Sequence, residues 1–268
     1  MGRMRRVGQL ARSRNLGVEL YNRRHQTRRL YRRPVPELGN WSVRRINALH
    51  AALPGLTRYL EIGLFAGTTF EHVTIPQRVG VDPSPRFDVA RLPPSASVFV
   101  MTSDDYFATC SEQFDIVFAD GLHTYQQTYR DTVSALKACP MGAVLVDDVV
   151  PCDEVSAIPD QDASLATRRR RGMPGSPWHG DVFKMVVCLN EHHPELTYRT
   201  IVDSGNPQLL VWREEGTDVQ PVSDAQLSTY GSLTYADVFA RGIPDAFRPC
   251  SESAVLVEAS ASLRSTYG

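Results

Sequence analysis

Short runs of apolar residues alternate with segments of helical spacing from residue 59 to residue 148. Helical spacing predicts a helix over residues 125–138, and Pro140 follows its end. Strands that are apolar on both faces and separated by helices are typical of a parallel sheet covered on both sides. The pattern therefore predicts an α/β fold with a mostly parallel sheet. Its five strands are predicted at residues 59–62, 78–82, 97–101, 114–120 and 143–148.

Residues outside this alternation are predicted to form a cap, a loop and a hairpin. Ser42 is the predicted N-cap of a short helix that precedes the first strand. Residues 151–180 contain an arginine run at 168–171 and then several glycines and prolines, a composition that predicts a long lid loop. The arginine run could bind an anionic substrate or form a solvated face. A helix over 181–189 and a hairpin of residues 196–202 and 208–212 are predicted to follow.

Charge divides the chain into unlike parts. The whole chain has a formal net charge of -1, from 29 Lys and Arg against 30 Asp and Glu. Residues 1–33 hold eleven arginines and one acid, a net charge of +10, so the remaining residues carry -11. We predict a basic N-terminal helical arm over 1–54, a ligand-binding sheet domain over 55–215 and a polar C-terminal extension over 216–268.

The basic arm has two interpretations. Its arginines, with Tyr21, Tyr31 and Trp41 nearby, could hold the phosphates and stack on the bases of a nucleic acid. An arm of charge +10 beside a body of charge -11 could instead fold onto its own domain or clasp a second subunit. We favour the second interpretation and expect a homodimer, because acidic residues described below would repel a phosphate backbone.

Cysteine usage and hydropathy exclude several classes of protein. The five cysteines are widely spaced and include no Cys-x-x-Cys pair, so the sequence predicts reduced thiols rather than disulfides or a zinc site. Apolar runs fall short of the roughly 18 residues of a membrane span, and the arginine-rich start lacks the apolar core of a secretory signal. We therefore expect a cytoplasmic protein without membrane contact.

A glycine turn follows the first predicted strand, in the segment Glu61-Ile62-Gly63-Leu64-Phe65-Ala66-Gly67. A dinucleotide-binding turn needs a middle glycine for close approach to a pyrophosphate, and Phe65 stands there instead. This side chain argues against NAD and FAD, but it is compatible with S-adenosylmethionine, which has no phosphate. Asp82 ends the second strand, where a carboxylate can accept hydrogen bonds from ribose hydroxyls, and Ser103-Asp104 follows the third, near the expected adenine.

Over residues 55–215 these features resemble the class I S-adenosylmethionine-dependent methyltransferases. The resemblance implies a Rossmann-like, mostly parallel sheet of seven strands that ends in an antiparallel hairpin, with helices on both faces. It also implies that S-adenosylmethionine binds at the carboxyl ends of the strands. The residues predicted to contact this cofactor are Glu61, Gly63, Gly67, Asp82, Ser103, Asp104 and Asp120.

Three carboxylates follow the fourth and fifth predicted strands, namely Asp120, Asp147 and Asp148. These strands are expected to be neighbours, so the carboxylates would meet beside the cofactor. Close carboxylates repel unless they are protonated or bind a cation, and oxygen ligands suit Mg²⁺, Mn²⁺ or Ca²⁺ rather than a soft metal. A cation there could lower the pKa of a substrate hydroxyl, and His123 could remove its proton. Alternatively, the Asp pair could be a solvated strand end and His123 a structural residue.

The same acids, with the later segment Gly180-Asp181-Val182-Phe183-Lys184, resemble metal-dependent O-methyltransferases that act on sugar hydroxyls of macrolide antibiotics and mycobacterial polysaccharides. The resemblance implies that Asp120, Asp147 and Asp148 bind the metal, with His123 as general base and Asp120 next to it. Trp178 and His179 precede this segment in the predicted lid. With Asp181 and Lys184 they are candidate acceptor contacts, although Trp178 could pack on the sheet and Asp181 could pair with Lys184 at a helix start.

We therefore expect an S-adenosylmethionine-dependent O-methyltransferase, assisted by Mg²⁺ or Mn²⁺, that forms an O-methyl ether on a sugar of a natural product or glycan. Two alternatives stay open. A catechol or phenol acceptor would use the same metal site, and the basic arm would suit a methyltransferase that binds RNA.

Overall fold

The structure of the protein is a computed structural model that describes residues 40–267. The eleven arginines of residues 1–33 lie outside the described residues, so a helical arm over that part and the homodimer stay predictions. None of the helices within residues 40–267 combines the length and the apolar character that a membrane span requires.

One sheet, of eight strands in the described part of the chain, has the strand order β3-β2-β1-β4-β5-β7-β6-β8. The strands are β1 (Arg58–Ile62), β2 (Gln77–Val81), β3 (Ala96–Phe99), β4 (Ile116–Ala119), β5 (Ala143–Val146), β6 (Thr197–Ile201), β7 (Gln208–Trp212) and β8 (Pro249–Cys250). The α-helices are α1 (Trp41–Ala52), α2 (Thr68–His72), α3 (Ser103–Thr109), α4 (Tyr125–Ala138), α5 (Gln161–Arg170), α6 (Phe183–His192), α7 (Asp224–Ser228), α8 (Tyr235–Phe239) and α9 (Glu252–Tyr267).

The first five strands pair in parallel, as their apolar pattern predicts. Strand β1 lies at the centre, with Glu61 opposite Gly80 of β2 on one side and Phe118 of β4 on the other. Strand β5 then pairs antiparallel with β7, and β7 with β6. The parallel sheet and the terminal hairpin are thus confirmed, and the carboxyl ends of β1, β2, β4 and β5 share one edge.

The C-terminal extension adds a strand beyond the seven expected. Strand β8 pairs in parallel with β6, with Thr200 opposite Pro249 and Ile201 opposite Cys250. Helix α9 also packs against β6 and α1. The prediction of a seven-stranded sheet is wrong, because the free hydrogen-bonding edge of β6 recruits a strand of two residues, too short to carry a recognisable apolar pattern.

Apolar side chains point alternately to the two faces of the sheet and build a core on each face. On β4, Val117 and Ala119 belong to the core that includes residues of α4 and α6. Ile116 and Phe118 belong to the opposite core, which includes residues of α1 and α9. Helices therefore cover both faces of the sheet, as predicted, and the edge at the carboxyl ends of its parallel strands is open to a ligand.

Helix α1 begins earlier than predicted, with Asn40 as its N-cap. The Oδ1 atom of Asn40 accepts hydrogen bonds from the backbone N–H groups of Ser42 and Val43. Ser42 is therefore not the cap, and its Oγ atom instead accepts a hydrogen bond from Nε2 of Gln208 at 2.7 Å. Asn and Ser cap helices about equally well, so the tertiary partner of Ser42 decides which of them does so here.

The segment 151–180 contains helix α5, where the composition predicts a lid loop. Arg168 is buried, and its Nη2 atom donates to both carboxylate oxygens of Asp153 at 2.7 Å. Arg169 and Arg170 are exposed. The loop prediction is wrong over Gln161–Arg170, and the arginine run is not wholly a solvated face, because one of its members forms the buried ion pair that organises the segment.

Candidate active site

A pocket of about 820 Å³ opens at the edge formed by the carboxyl ends of the parallel strands. Small-molecule sites typically measure roughly 300–1,000 Å³, and in open parallel sheets they lie at this edge. The predicted site residues that line the pocket are Glu61, Gly63, Asp82, Ser103, Asp104, Asp120, His123, Asp147, Asp148 and Trp178.

Gly63 and Gly67 bound the turn between β1 and α2. Gly63 has φ +87°, and a Cβ atom there would lie 2.0 Å from the carbonyl oxygen of Asp120, so glycine alone lets the ends of β1 and β4 meet. Between the two glycines, Phe65 has φ +45°, and its side chain is 62% exposed and lines the pocket. The phenyl ring thus stands where a pyrophosphate would need open backbone.

Asp82 organises the glycine turn in addition to lining the pocket. Its Oδ2 atom accepts hydrogen bonds from the backbone N–H groups of Leu64 at 2.8 Å and Phe65 at 2.9 Å. Its Oδ1 atom accepts one from the N–H group of Ser84 at 2.6 Å. A carboxylate has about four acceptor sites, so these three bonds leave capacity for one donor from a ligand.

Gln127 of α4 connects the residues at the start of α3. Its Nε2 atom lies 3.2 Å from Oγ of Ser103, 3.0 Å from Oδ1 of Asp104 and 2.9 Å from Oδ1 of Asp131. Burial raises the pKa of Asp131 to about 6. The sequence did not identify Gln127 or Asp131 as site residues. The helical periodicity of α4 predicts which face of the helix is apolar, but it does not predict which of its polar side chains contact α3.

Glu61 is buried at the end of β1 and accepts a hydrogen bond from Oη of Tyr59 at 2.6 Å. Burial raises the pKa of the Glu61 carboxyl well above its ordinary value. The neutral acid is favoured there, and it can donate as well as accept a hydrogen bond at the pocket wall.

Asp120, His123 and Asp148 place their ligand atoms within 4.8 Å of one another. Nδ1 of His123 lies 3.1 Å from Oδ2 of Asp148, and Nε2 of His123 lies 3.5 Å from Oδ1 of Asp120. Asp148 has φ +58°, a left-handed conformation that Asp tolerates better than most residues. This sharp turn after β5 belongs to the same pocket as the glycine turn after β1.

Asp147 lies beside this cluster and is held by two hydrogen bonds. Its Oδ1 atom accepts from the N–H group of Asp148 at 2.7 Å and from Nδ2 of Asn206 at 2.5 Å. The same Nδ2 atom donates to Oδ1 of Asp148 at 2.7 Å. Sequence reasoning did not find Asn206, because Asn in a Ser-Gly-Asn-Pro hairpin turn is indistinguishable from an ordinary turn residue.

The acid cluster attracts positive charge. Burial raises the pKa of Asp120, and burial together with Asp148 and Asp120 raises the pKa of Asp147 well above its ordinary value. Burial alone would lower the pKa of His123, but Asp148 and Asp120 raise it to about 9. Carboxylate oxygens with an imidazole nitrogen beside them form a donor set that fits Mg²⁺ or Mn²⁺.

Trp178 and His179 approach the cluster from the segment 151–180. The Trp178 ring stacks on the His123 ring, with centroids 4.5 Å apart. His179 is buried, and its Nε2 atom lies 3.6 Å from Oδ1 of Asp148. Trp178 therefore stands against the candidate base and lines the pocket, while His179 lies behind Asp148.

Asp181 and Lys184 form a buried ion pair, with 3.0 Å between Oδ2 and Nζ. Oδ1 of Asp181 accepts a hydrogen bond from the N–H group of Tyr125, and Nζ of Lys184 donates to the carbonyl oxygen of Gly231. Neither residue lines the pocket in the described part of the chain. The structure shows the ion pair at a helix start that the sequence offers as the alternative, and a role of these two residues as acceptor contacts stays a prediction.

Residues 44–149 match the model of a family described as a methyltransferase domain. Residues 44–149 are thus a methyltransferase domain by this match. The matched segment of the methyltransferase domain includes the glycine turn, Asp82 and all three acids of the cluster. The methyltransferase part of the predicted resemblance is confirmed over these residues, and the predicted α/β sheet is confirmed by the strand order given above. No curated protein matches the chain.

Several solved structures are similar to this chain. The O-methyltransferase TomG from Streptomyces achromogenes, in complex with SAM, is 20% identical over 76% of this chain and 89% of its own, with a TM-score of 0.44. Cofactor-bound Rv0187 from MTB is 15% identical over 77% of this chain and 90% of its own, with a TM-score of 0.43.

The sugar N-methyltransferase KedS8 from Streptoalloteichus sp. ATCC 53650 is similar over a smaller region. It is 18% identical over 40% of this chain, with a TM-score of 0.34. The chain spans 47% of the length of KedS8, about half of it. At these identities the similarity concerns the fold alone.

Proposed function

We propose that the methyltransferase domain transfers the methyl group of S-adenosylmethionine to a sugar hydroxyl, with a divalent cation and with His123 as general base. The observation that carries the proposal is the meeting of Asp120, His123 and Asp148 within 4.8 Å. This cluster shares one pocket with the glycine turn and Asp82. A cofactor region and an acid–base cluster in the same cavity are what a transfer reaction requires.

The cofactor assignment rests on the part of the pocket around the turn after β1. Asp82 retains acceptor capacity for a ribose hydroxyl, and Asp104 and Ser103 lie at the start of α3, where the adenine is expected. Phe65 occupies the position at which a dinucleotide fold admits a pyrophosphate. S-adenosylmethionine has a ribose and an adenine but no phosphate, so it suits this combination.

The cation assignment rests on the carboxylates beside His123. Asp120 and Asp148 would hold the ion, with Asp147 next to them, because close, partly buried carboxylates repel one another unless they are protonated or bind a cation. A bound divalent cation polarises an acceptor hydroxyl and lowers its pKa. Since the carboxylates raise the pKa of His123, their contact with a cation favours the neutral imidazole.

His123 would accept the hydroxyl proton while the acceptor oxygen attacks the methyl carbon. The new bond joins that oxygen to the methyl group, the bond between the methyl carbon and sulfur breaks, and its electron pair stays on the sulfur of S-adenosylhomocysteine. His123 lies at the pocket wall within reach of both Asp120 and Asp148. A positioned imidazole is the side chain most often used for this proton transfer.

The acceptor class is proposed from the acid pattern and the pocket lining. Trp178 and the exposed Leu122 offer apolar surface next to carboxylates, a combination that accommodates the apolar face and the hydroxyls of a sugar. The acid after β4 and the acid pair after β5 follow the pattern of sugar O-methyltransferases named above. A sugar of a natural product or glycan is therefore the proposed acceptor.

Calorimetric titration with S-adenosylhomocysteine, with and without Mg²⁺, tests the cofactor and cation together. We expect binding in both conditions and methyl transfer that EDTA abolishes and Mg²⁺ restores. Absence of cofactor binding would refute the proposal, and turnover insensitive to EDTA would remove the cation from it. A panel of sugars and catechols as acceptors decides between the two acceptor classes.

The base is tested by His123→Ala. General-base catalysis contributes roughly 10²–10⁴-fold, so we expect kcat to fall by that factor with unchanged affinity for S-adenosylhomocysteine. His72→Ala is the matched control, since His72 is exposed and contacts the carbonyl oxygen of Thr68. Equal kcat values for the His123 variant and the control would exclude His123 as the base.

A further inference from the structure

Asn206 joins the two carboxylates of the acid pair through a single amide nitrogen. Its Nδ2 atom donates to Oδ1 of Asp147 at 2.5 Å and to Oδ1 of Asp148 at 2.7 Å. An amide nitrogen has two hydrogens, so one Asn can serve both acceptors at once. These bonds hold together two carboxylates that would otherwise repel each other.

The hairpin turn that carries Asn206 is held by close packing against α1. Gly205 has φ +60°, and a Cβ atom there would lie 2.2 Å from the ring of Trp41. A side chain at position 205 would push the turn away from α1 and therefore away from the acid pair. Helix α1 therefore fixes the backbone position of the next residue, Asn206.

A buried guanidinium locks the same turn by hydrogen bonds. Nη1 of Arg45 donates to the carbonyl oxygen of Asn206 at 2.8 Å and to Oε1 of Gln208 at 2.5 Å. Nη2 donates to the carbonyl oxygen of Ser204, and Nε donates to Oε2 of Glu252 at 3.0 Å. Arg45 is 1% exposed, so these bonds are shielded from water. The side chain connects α1, the turn and α9.

The amide has a chemical advantage over a charged residue at this position. An ammonium or guanidinium between the carboxylates would neutralise them and compete with a cation. A neutral donor orients the oxygens and leaves their charge in place. Groups that orient ligands in this way typically change metal affinity by roughly 10–100-fold when they are removed.

We propose that Asn206 is a positioning residue that holds Asp147 and Asp148 in the arrangement that binds a divalent cation, with Arg45 and Gly205 holding Asn206. This inference rests on the cation site of the proposed function. The acids of the site follow β4 and β5. The inference gives the β6–β7 turn a role in the same site. Through Arg45, helices α1 and α9 also contribute to it.

Titration of the full chain with Mn²⁺, followed by the electron paramagnetic resonance of free Mn²⁺, tests the inference without any acceptor. We expect Asn206→Ala to weaken Mn²⁺ binding by roughly 10–100-fold. The matched control is Ser204→Ala, which loses the bond from Oγ to Glu252 in the same turn but touches neither acid. The control should bind Mn²⁺ as the unmodified chain does.

Asn206→Leu is a second variant of nearly the same size that has no amide donor and adds no possible ligand. We expect Mn²⁺ to raise its Tm by less than it raises that of the unmodified chain, because acids without the shared donor bind the cation more weakly. A purely structural role in the turn predicts that the cation shifts both Tm values equally. That equality would overturn the inference for this variant even if Asn206→Ala did not fold.

The outcomes separate the inference from the function on which it rests. If the unmodified chain does not bind Mn²⁺, both the cation site and the role of Asn206 are refuted. If it binds Mn²⁺ and Asn206→Ala binds it equally well, the cation site stands and the positioning role is refuted. Affinity for S-adenosylhomocysteine, measured on each variant, should stay unchanged and report an intact fold.

Discussion

The indole of Trp178 lies nearly parallel to the imidazole of His123, with ring centroids 4.5 Å apart and an angle of 11° between the planes. Nε1 of Trp178 donates to the carbonyl oxygen of Ile158 at 2.8 Å, which ties the indole to its own segment. His123 in turn lies between Asp120 and Asp148. One face of the candidate base is therefore covered by a side chain from the segment 151–180.

Replacing Trp178 should reduce turnover and not acceptor binding alone. An aromatic stack contributes about 0.5–1.5 kcal/mol, so Trp178→Ala should lower kcat by up to roughly tenfold, in addition to raising KM for a sugar acceptor. Trp178→Phe keeps an aromatic face and should recover most of kcat. Steady-state kinetics with saturating cofactor measure both constants. An increase in KM at unchanged kcat would assign the ring to the acceptor and not to His123.

Breaking the buried ion pair of the segment 151–180 should destabilise the fold. Removal of one partner of a buried pair typically costs about 3–5 kcal/mol, so Arg168→Met should lower the free energy of unfolding by that order. Arg169→Met is the matched control from the same arginine run, since Arg169 is exposed, and it should change stability by less than about 0.5 kcal/mol. Urea unfolding compares them, and similar values for the two variants would contradict a structural role of Arg168.

Asp131 should make the protein less stable as the pH rises from 4 to 6. Its folded-state pKa is about 6 and its ordinary value 3.8, so in this window the folded chain retains a proton that the unfolded chain has released. Above pH 6 the group lowers the free energy of unfolding by roughly 2–3 kcal/mol. Asp131→Asn should therefore be more stable than the unmodified chain at about pH 7.5 and gain nothing at about pH 4.

Unfolding in urea at the two pH values measures that difference. Asp162→Asn, at an exposed position of α5, is the control and should show no such dependence. An Asp131 variant whose stability difference does not depend on pH would show that the carboxyl is ionised in the folded state.

Phe65 should tolerate glycine better than a β-branched residue. A left-handed φ at a non-glycine residue such as Phe65 destabilises the folded state by about 1–2 kcal/mol. Glycine removes this strain, but its greater conformational freedom in the unfolded chain offsets part of the gain in stability. We expect Phe65→Gly to leave the free energy of unfolding unchanged or to raise it by up to about 1 kcal/mol. Phe65→Val should lower the free energy of unfolding by about 1 kcal/mol. Thermal unfolding ranks the variants, and a glycine variant less stable than the valine variant would show that the phenyl ring stabilises the turn.

Much of the fold follows from local pattern. The five parallel strands, the hairpin and helix α4 are each marked by an apolar period that a short segment displays without its neighbours. The placement of Asp82, Asp120 and Asp147 at one sheet edge follows from the same pattern, since each residue directly follows a parallel strand. Strand β8 and helix α5 were not predicted, because their pairing and burial depend on distant partners.

The alternation of apolar strands and helices is enough to place the glycine turn and the acids at a common edge, because side-chain direction and strand order obey general rules. The contacts that complete the site obey no such rule. Arg45 meets Glu252, 207 residues later, and Asn206 meets Asp147 from 59 residues away. Such contacts depend on how whole helices and turns pack together, which no single segment of the sequence encodes. The tertiary structure alone brings Trp178 onto His123 and an amide onto the acid pair.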